Sequence, residues 1–217
     1  MFEGNFGYNG SERFARGSRY GFFPSAGLGY RISNEKFFEP LKDVVSNLKF
    51  RITYGLVGND QIGNTSDRFF YLSNVNLDDG NYGVSFGQDF GYYRNGVYIS
   101  RYSNYDIGWE ESEQVNLGVD IGLFGDLNIV ADIFRQNRTN ILQTRSNIGS
   151  ALGLTATPQA NFAKLESYGL DLTADYNKQL GKYLWTQLRA NFTYADNEIL
   201  EYDEVDYPEN LAYRSQI

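Results

Sequence analysis

The 217-residue chain contains no cysteine and no histidine. These absences remove Ser-His-Asp and Cys-His nucleophile systems, thiolate zinc sites, imidazole-ligated metals and disulfides in one step. Only carboxylates, Lys and Tyr are left for catalysis, and the redox compartment cannot be read from cysteine usage. Basic residues are in deficit: 19 Lys and Arg stand against 27 Asp and Glu, a net charge of −8. With no basic cluster present, electrostatic binding of nucleic acid is not expected. No uninterrupted apolar run reaches the roughly 18 to 20 residues that a membrane helix needs. That excludes helical spanning and says nothing against a membrane β-barrel, whose strands alternate and look polar on average. The opening MFEGNFGYNG has no basic region followed by an apolar core, so no signal peptide is visible.

What the chain does have is aromatic residues at 17%, 23 glycines and only four prolines. Aromatic segments separated by glycine-rich turns point to an all-β protein. The segment SRYGFFPSAGLGYRIS (18 to 33) places Tyr20, Phe22, Pro24, Ala26, Leu28, Tyr30 and Ile32 on one face, with small or charged residues mostly between them. Period-two alternation marks a strand with two different environments. The pattern recurs over residues 48 to 58, 115 to 123, 127 to 133, 168 to 176 and 184 to 194, and more briefly from Phe2 to Tyr8. That makes seven strands, several of them far longer than the ~5 to 6 residues usual in globular proteins.

The connections alternate in length. LFGD (123 to 126) and NKQLGKY (177 to 183) read as tight hairpin turns, whereas residues 9 to 19, about 59 to 108, and 138 to 163 are long and polar. Residues 33 to 48 carry Phe37, Leu41, Val44 and Leu48 at helical spacing, which predicts one or two helical turns at the rim. Within 59 to 108, YGVSF (82 to 86) and GVYISRY (96 to 102) are expected to form a hairpin standing apart from the main strands. Pro24 removes a ladder hydrogen bond in mid-strand, so a bulge is expected there. Short turns on one side and long loops on the other fit a transmembrane barrel. On periodicity alone, a large soluble antiparallel sheet with one wet face fits equally well.

Several stretches carry a resemblance. RYGFFPSAGLGYRIS, LKFRITYGLVGND, WEESEQVNLGVDIGLF, IVADIFRQNRTNIL, ESYGLDLTADYN and LWTQLRANFTYADNEIL, in this order, resemble the C-terminal half of SusC/RagA-type TonB-dependent transporters along almost the whole chain. The resemblance implies a 22-stranded outer-membrane barrel of a Gram-negative bacterium, with an N-terminal plug. Such a barrel imports oligosaccharides or peptides with energy relayed by TonB-ExbB-ExbD, and a SusD-like surface lipoprotein caps it. It implies a transporter rather than an enzyme. On this reading residues 1 to 217 are a partial barrel domain of about seven strands. The plug and the remaining strands are expected elsewhere in a larger protein.

Candidate substrate contacts lie in the long outer segment. They are Arg68, Phe69, Phe70 and Tyr71, then Tyr92, Tyr93, Arg94, Tyr98, Arg101 and Tyr102. Aromatic faces stack on sugar rings or apolar side chains, and arginines add directional donors; packing within the loop or against a lid is the competing role. Tyr20, Tyr30 and Trp109 are candidate interfacial anchors. Acidic runs at 77 to 81 and 202 to 210 offer oxygen ligands for calcium but lack EF-hand spacing, so solvated turns are the simpler reading. Lumen-facing Arg31, Arg51, Asp171, Asp175 and Arg189 are expected to pair among themselves or to meet a plug. No cofactor and no catalytic carboxylate pair is singled out. A passive porin or adhesin barrel and a soluble carbohydrate-binding β domain remain as alternatives.

Overall fold

The computed structural model describes residues 1–64, 67–204, 208 and 211. Nine strands form in chain order: β1 (Phe2–Gly10), β2 (Tyr20–Arg31), β3 (Val45–Asn59), β4 (Asn74–Phe86), β5 (Tyr92–Arg101), β6 (Glu110–Leu123), β7 (Leu127–Thr144), β8 (Gln159–Gln179) and β9 (Trp185–Glu201). Among the described residues, seven of them make one antiparallel sheet in the order β1-β2-β3-β6-β7-β8-β9, while β4 and β5 pair separately as a hairpin. The seven strands of the main sheet are those foreseen from the alternation, but β7 runs on to Thr144 and β8 begins at Gln159, so the connection read from the sequence as 138 to 163 is only 145 to 158.

Register turns the local alternation into a two-sided surface. One rung runs Phe2, Leu28, Ile52, Leu117, Ile133, Leu170, Tyr194 across all seven strands, and every member is apolar or aromatic. The next rung, from Glu3 through Gly27, Thr53, Asn116, Phe134 and Gly169 to Ala195, points to the opposite face. Among the described residues nothing packs on the apolar face. Leu28 is 56% exposed, Leu117 51% and Ile133 61%. The accessible surface is 15307 Å², against roughly 10,000 Å² for a compact protein of this length. A soluble sheet would cover this face with a second layer, because each exposed Leu or Ile forgoes about 1.5–3 kcal/mol of burial.

The strands are inclined. Below the Leu28 rung, β2 runs on for three residues, β3 for seven, β6 and β7 for six, and β8 and β9 for nine, a rise of six residues over the five steps from β2 to β9. A step of about one residue per strand, with ~3.3 Å rise and ~4.8 Å strand spacing, gives a tilt of roughly 35°. This is the stagger that lets a sheet close into a barrel.

The lower rim is made of tight connections. At β6–β7, Phe124 (φ 55) and Gly125 (φ 73) both take left-handed backbone, and the Phe124 amide donates to Val44 O at 2.9 Å. Residues 33 to 48 do form short helical turns, but they are 3₁₀ pieces at Ile32–Asn34 and Lys36–Leu41. The tighter turn buries Phe38 and leaves Phe37 and Leu41 exposed, unlike the α-helical spacing read from the sequence.

The bulge expected at Pro24 is absent. Pro24 pairs with Phe6 in an unbroken register, and β2 meets β3 only from Ser25 onward. Met1 and Gly29 exchange both backbone hydrogen bonds, so alternate residues from Gly29 back to Gly21 bond to β1. Pro24 is out of that phase: its nitrogen points toward β3, where pairing has already ended.

The packed core lies at the upper rim instead of under the sheet. Phe14, Ile62, Phe70 and Ile107 are buried together, with Trp109 and Leu142 packed against them. These six residues come from three loops and from the upper end of β7. That end bends inward at Asn140 (φ 55), where the β7–β8 register shifts.

Candidate functional site

The polar face of the sheet has two tiers. In the lower tier Arg51 donates from Nε to Asp120 (3.0 Å) and from Nη2 to Asp132 (3.0 Å), while Lys49 approaches Asp120 at 3.8 Å. The Arg51 guanidinium passes over Gly118: a Cβ there would lie 2.8 Å from Arg51 Cζ and 2.5 Å from an Asp132 oxygen. Arg189 pairs with Asp175. The charges on this face therefore pair largely across strands, while Asp171, directly opposite Asp132, has no partner among the described residues. Arg51→Gln leaves Asp120 and Asp132 facing each other without their shared cation. It is expected to cost roughly 1–2 kcal/mol in urea unfolding, and a second substitution, Asp132→Asn, should recover part of the loss. Additive effects in that cycle would show the bridge to be idle.

Above it the face is almost uncharged. A groove of about 580 Å³ runs along it, bordered by Ser25, Thr53, Gln114, Asn116 and Phe134, with Glu3 and Asp171 at its margins. Higher still, Glu110 is buried and held by Arg138, whose Nε donates to Oε1 at 2.8 Å.

The upper rim is built around Trp109. Its ring packs at 5.3 Å from Phe14 and 5.2 Å from Phe23, and its indole N–H donates to Arg19 O at 3.3 Å. It thus sits within the loop nucleus on the polar-face side, beside Phe23. The Phe23 ring occupies the space over Gly58 and Gly21, where any Cβ would collide with it. Arg13 ties the nucleus down by donating from Nη1 to Asp60 O (2.9 Å) and Ile62 O (3.0 Å). Asn161 holds the bent hairpin, donating to Asn140 O (2.6 Å) and Gly108 O (3.2 Å) and accepting from Gly108 N (3.1 Å). The other two anchor candidates lie on the apolar face: Tyr20 stacks on Tyr8 at 5.4 Å, and the Tyr30 hydroxyl donates to Glu35 at 2.8 Å.

The structure divides the candidate contacts into two groups. Phe70 belongs to the buried nucleus. Arg101 lies over its ring at 4.2 Å, pairs with Asp67 at 3.5 Å and donates to Leu72 O, so its guanidinium is committed within the loop. Arg68 pairs with Glu12 at 3.1 Å; Phe69 packs edge-on to Tyr71, and Tyr71 meets Tyr105. The Thr155 hydroxyl and backbone amide both meet the Tyr102 phenol oxygen and hold its pKa below the ordinary tyrosine value. The second group sits on the β4–β5 hairpin. There Tyr98 stacks on Tyr82 (4.6 Å, 16°), Arg94 lies over the exposed Tyr92 ring at 4.6 Å, and the Tyr93 hydroxyl bonds Gly80 O. Tyr82, Phe14, Ile107 and Asn161 were not foreseen as rim residues, since single side chains in irregular loops have no period to betray them.

The acidic segment 77 to 81 forms local turns, with Asp79 accepting from Asn76 and from the Asn81 amide. Of 202 to 210, residues 205 to 207, 209 and 210 lie outside the described residues. Among the described residues no group of three or more Asp and Glu could hold a metal ion.

Comparison with known proteins agrees with this geometry. The family described as TonB dependent receptor-like, beta-barrel, matches residues 2–214. The TonB-dependent receptor P39 of Formosa agariphila is 30% identical over 207 residues, covering 94% of this chain and 18% of that protein. The TonB-dependent receptor SusC of Bacteroides thetaiotaomicron is 29% identical over 204 residues, covering 92% and 19%. The RagAB peptide importer in its open-open state superposes with a TM-score of 0.73 at 24% identity, over 93% of this chain and 20% of that one, a likeness of fold. The chain spans about a fifth of the length of these relatives.

Proposed function

Since the chain belongs to the TonB-dependent receptor β-barrel family, we propose that it forms part of the barrel wall of a SusC/RagA-type outer-membrane importer for oligosaccharides or peptides in a Gram-negative bacterium. The observation that carries this reading is the uncovered apolar face backed by a polar one. Hydrocarbon accepts the first and an aqueous interior the second. β1 and β9 are the edges of the sheet among the described residues. Lipid cannot satisfy an open edge, so further strands of the longer polypeptide close the barrel, and a plug within it contacts the TonB-ExbB-ExbD complex. The upper rim, with its nucleus and the aromatic hairpin, faces the cell exterior and receives a SusD-like lipoprotein. Arg68, Phe69, Tyr92, Arg94 and Tyr98 are the surface positions offered to lid or substrate.

Deleting the gene, or dissipating the proton gradient that TonB taps, should abolish accumulation of the nutrient. Uptake that persists without TonB would instead identify a passive pore.

A further inference from the structure

We propose that the lower rim is itself a membrane-binding surface, whose short connections lodge Phe37, Leu41, Phe124 and Tyr183 in the periplasmic leaflet of the bilayer; this rests on the import reading above. The first argument is how far down the apolar face runs. Three further rungs of the same facing lie below Leu28, and the lowest joins Val45, Leu123, Leu127, Tyr176 and Leu188. None of the three carries a charged residue. Upward the same face turns polar within two rungs, at Glu113, Asn137, Glu166 and Glu198.

Height then decides where lipid must lie. On β6 the apolar stretch from Val115 to Leu123 spans about 22 Å at ~3.3 Å per residue and ~35° of tilt. The apolar band of such barrels is about 25 Å tall. Glu113 blocks the upper end, so the shortfall is met below Leu123, where Phe124 follows at once.

The side chains at that level are bare. Phe124 is 66% exposed and Phe37 72%, and Leu41 and Tyr183 are exposed as well. Phe124 also holds left-handed backbone (φ 55), which a bulky residue seldom takes and glycine takes freely. With its ring uncovered, packing within the chain does not repay that strain. Its amide bonds Val44 O, which joins the β6–β7 turn to the connection that carries Phe37 and Leu41. Aromatic rings at the level of the headgroups gain an apolar neighbour without losing water at their edges.

The test uses the intact transporter reconstituted in vesicles of phosphatidylethanolamine and phosphatidylglycerol. Nitroxide labels are placed on single cysteines in Phe37→Cys, Phe124→Cys and Leu117→Cys, with any other cysteine of the longer polypeptide removed. All three labels should collide with oxygen more often than with a water-soluble nickel chelate. Phe124→Gly should lower the urea midpoint in these vesicles, and Phe124→Trp should hold it. Preference for the chelate at Phe37 or Phe124 overturns the proposal. So does shielding from both reagents, which would mean that a protein segment covers the rim, or an equal or raised midpoint for Phe124→Gly. Leu117 judges the import reading separately: oxygen there with chelate at the rim keeps the barrel wall and sinks the anchor, whereas chelate at Leu117 sinks the wall itself.

Discussion

Leu117→Arg is expected to destabilise the folded barrel by about 2–4 kcal/mol, whereas Asn116→Arg, one residue away, leaves its stability nearly unchanged. Leu117 sits mid-strand in β6 on the apolar rung, flanked by Ile52 and Ile133 and half exposed. In hydrocarbon an arginine at such depth costs about 2–4 kcal/mol, a large share of a stability that is itself of order ten. Asn116 faces the aqueous side between Thr53 and Phe134, where a guanidinium stays hydrated. The readout is the fraction migrating as compact, heat-modifiable protein in unboiled gels across a urea series, whose midpoint should fall for Leu117→Arg alone. Equal folding of both variants would mean that neither face meets lipid.

Phe14→Ala is expected to leave the barrel folded and loosen the upper rim. Phe14 is 0% exposed, packed on Trp109 at 5.3 Å, and truncating a buried phenylalanine costs about 3–5 kcal/mol. That exceeds any single one of the loops' other ties, the hydrogen bonds from Arg13, Asn161 and Trp109 and the Arg68–Glu12 and Arg101–Asp67 ion pairs, each contributing about 1 kcal/mol. Limited proteolysis of whole cells should then cleave between residues 60 and 73, with unchanged heat-modifiability. If the lid docks on this rim, its co-purification should fall in parallel. Protease resistance equal to that of the unsubstituted protein would show that the nucleus is not what orders the rim.

Opposite fates for two such neighbours were legible before any coordinates, since period two alone assigns Leu117 and Asn116 to different solvents. The same reasoning placed a hairpin of 82 to 86 and 96 to 102 outside the main sheet, within the observed strands Asn74–Phe86 and, but for its last residue, Tyr92–Arg101, and the tight turns at one rim. It failed at Pro24, where it expected a bulge: the sequence carries the missing amide but not the direction in which that amide points, which depends on where β3 leaves β2. It failed also at Phe37 and Phe38, since a 3₁₀ turn and an α-turn bury different neighbours of the same short run. Phe70 and Arg101 looked like free contacts in an aromatic stretch, yet one is buried and the other held by Asp67 and the Phe70 ring.

Alternation is a local property, fixed by backbone geometry from one residue to the next, so the sequence by itself determined the strands of the main sheet, their two faces and the order of short and long connections. Register, tilt, the Arg51 bridge and the rim nucleus join residues tens of positions apart, such as Phe14 with Ile107 and Arg51 with Asp132. Those pairings were decided only when seven strands aligned, because alignment across a sheet depends on every neighbouring strand together, and no single segment records it.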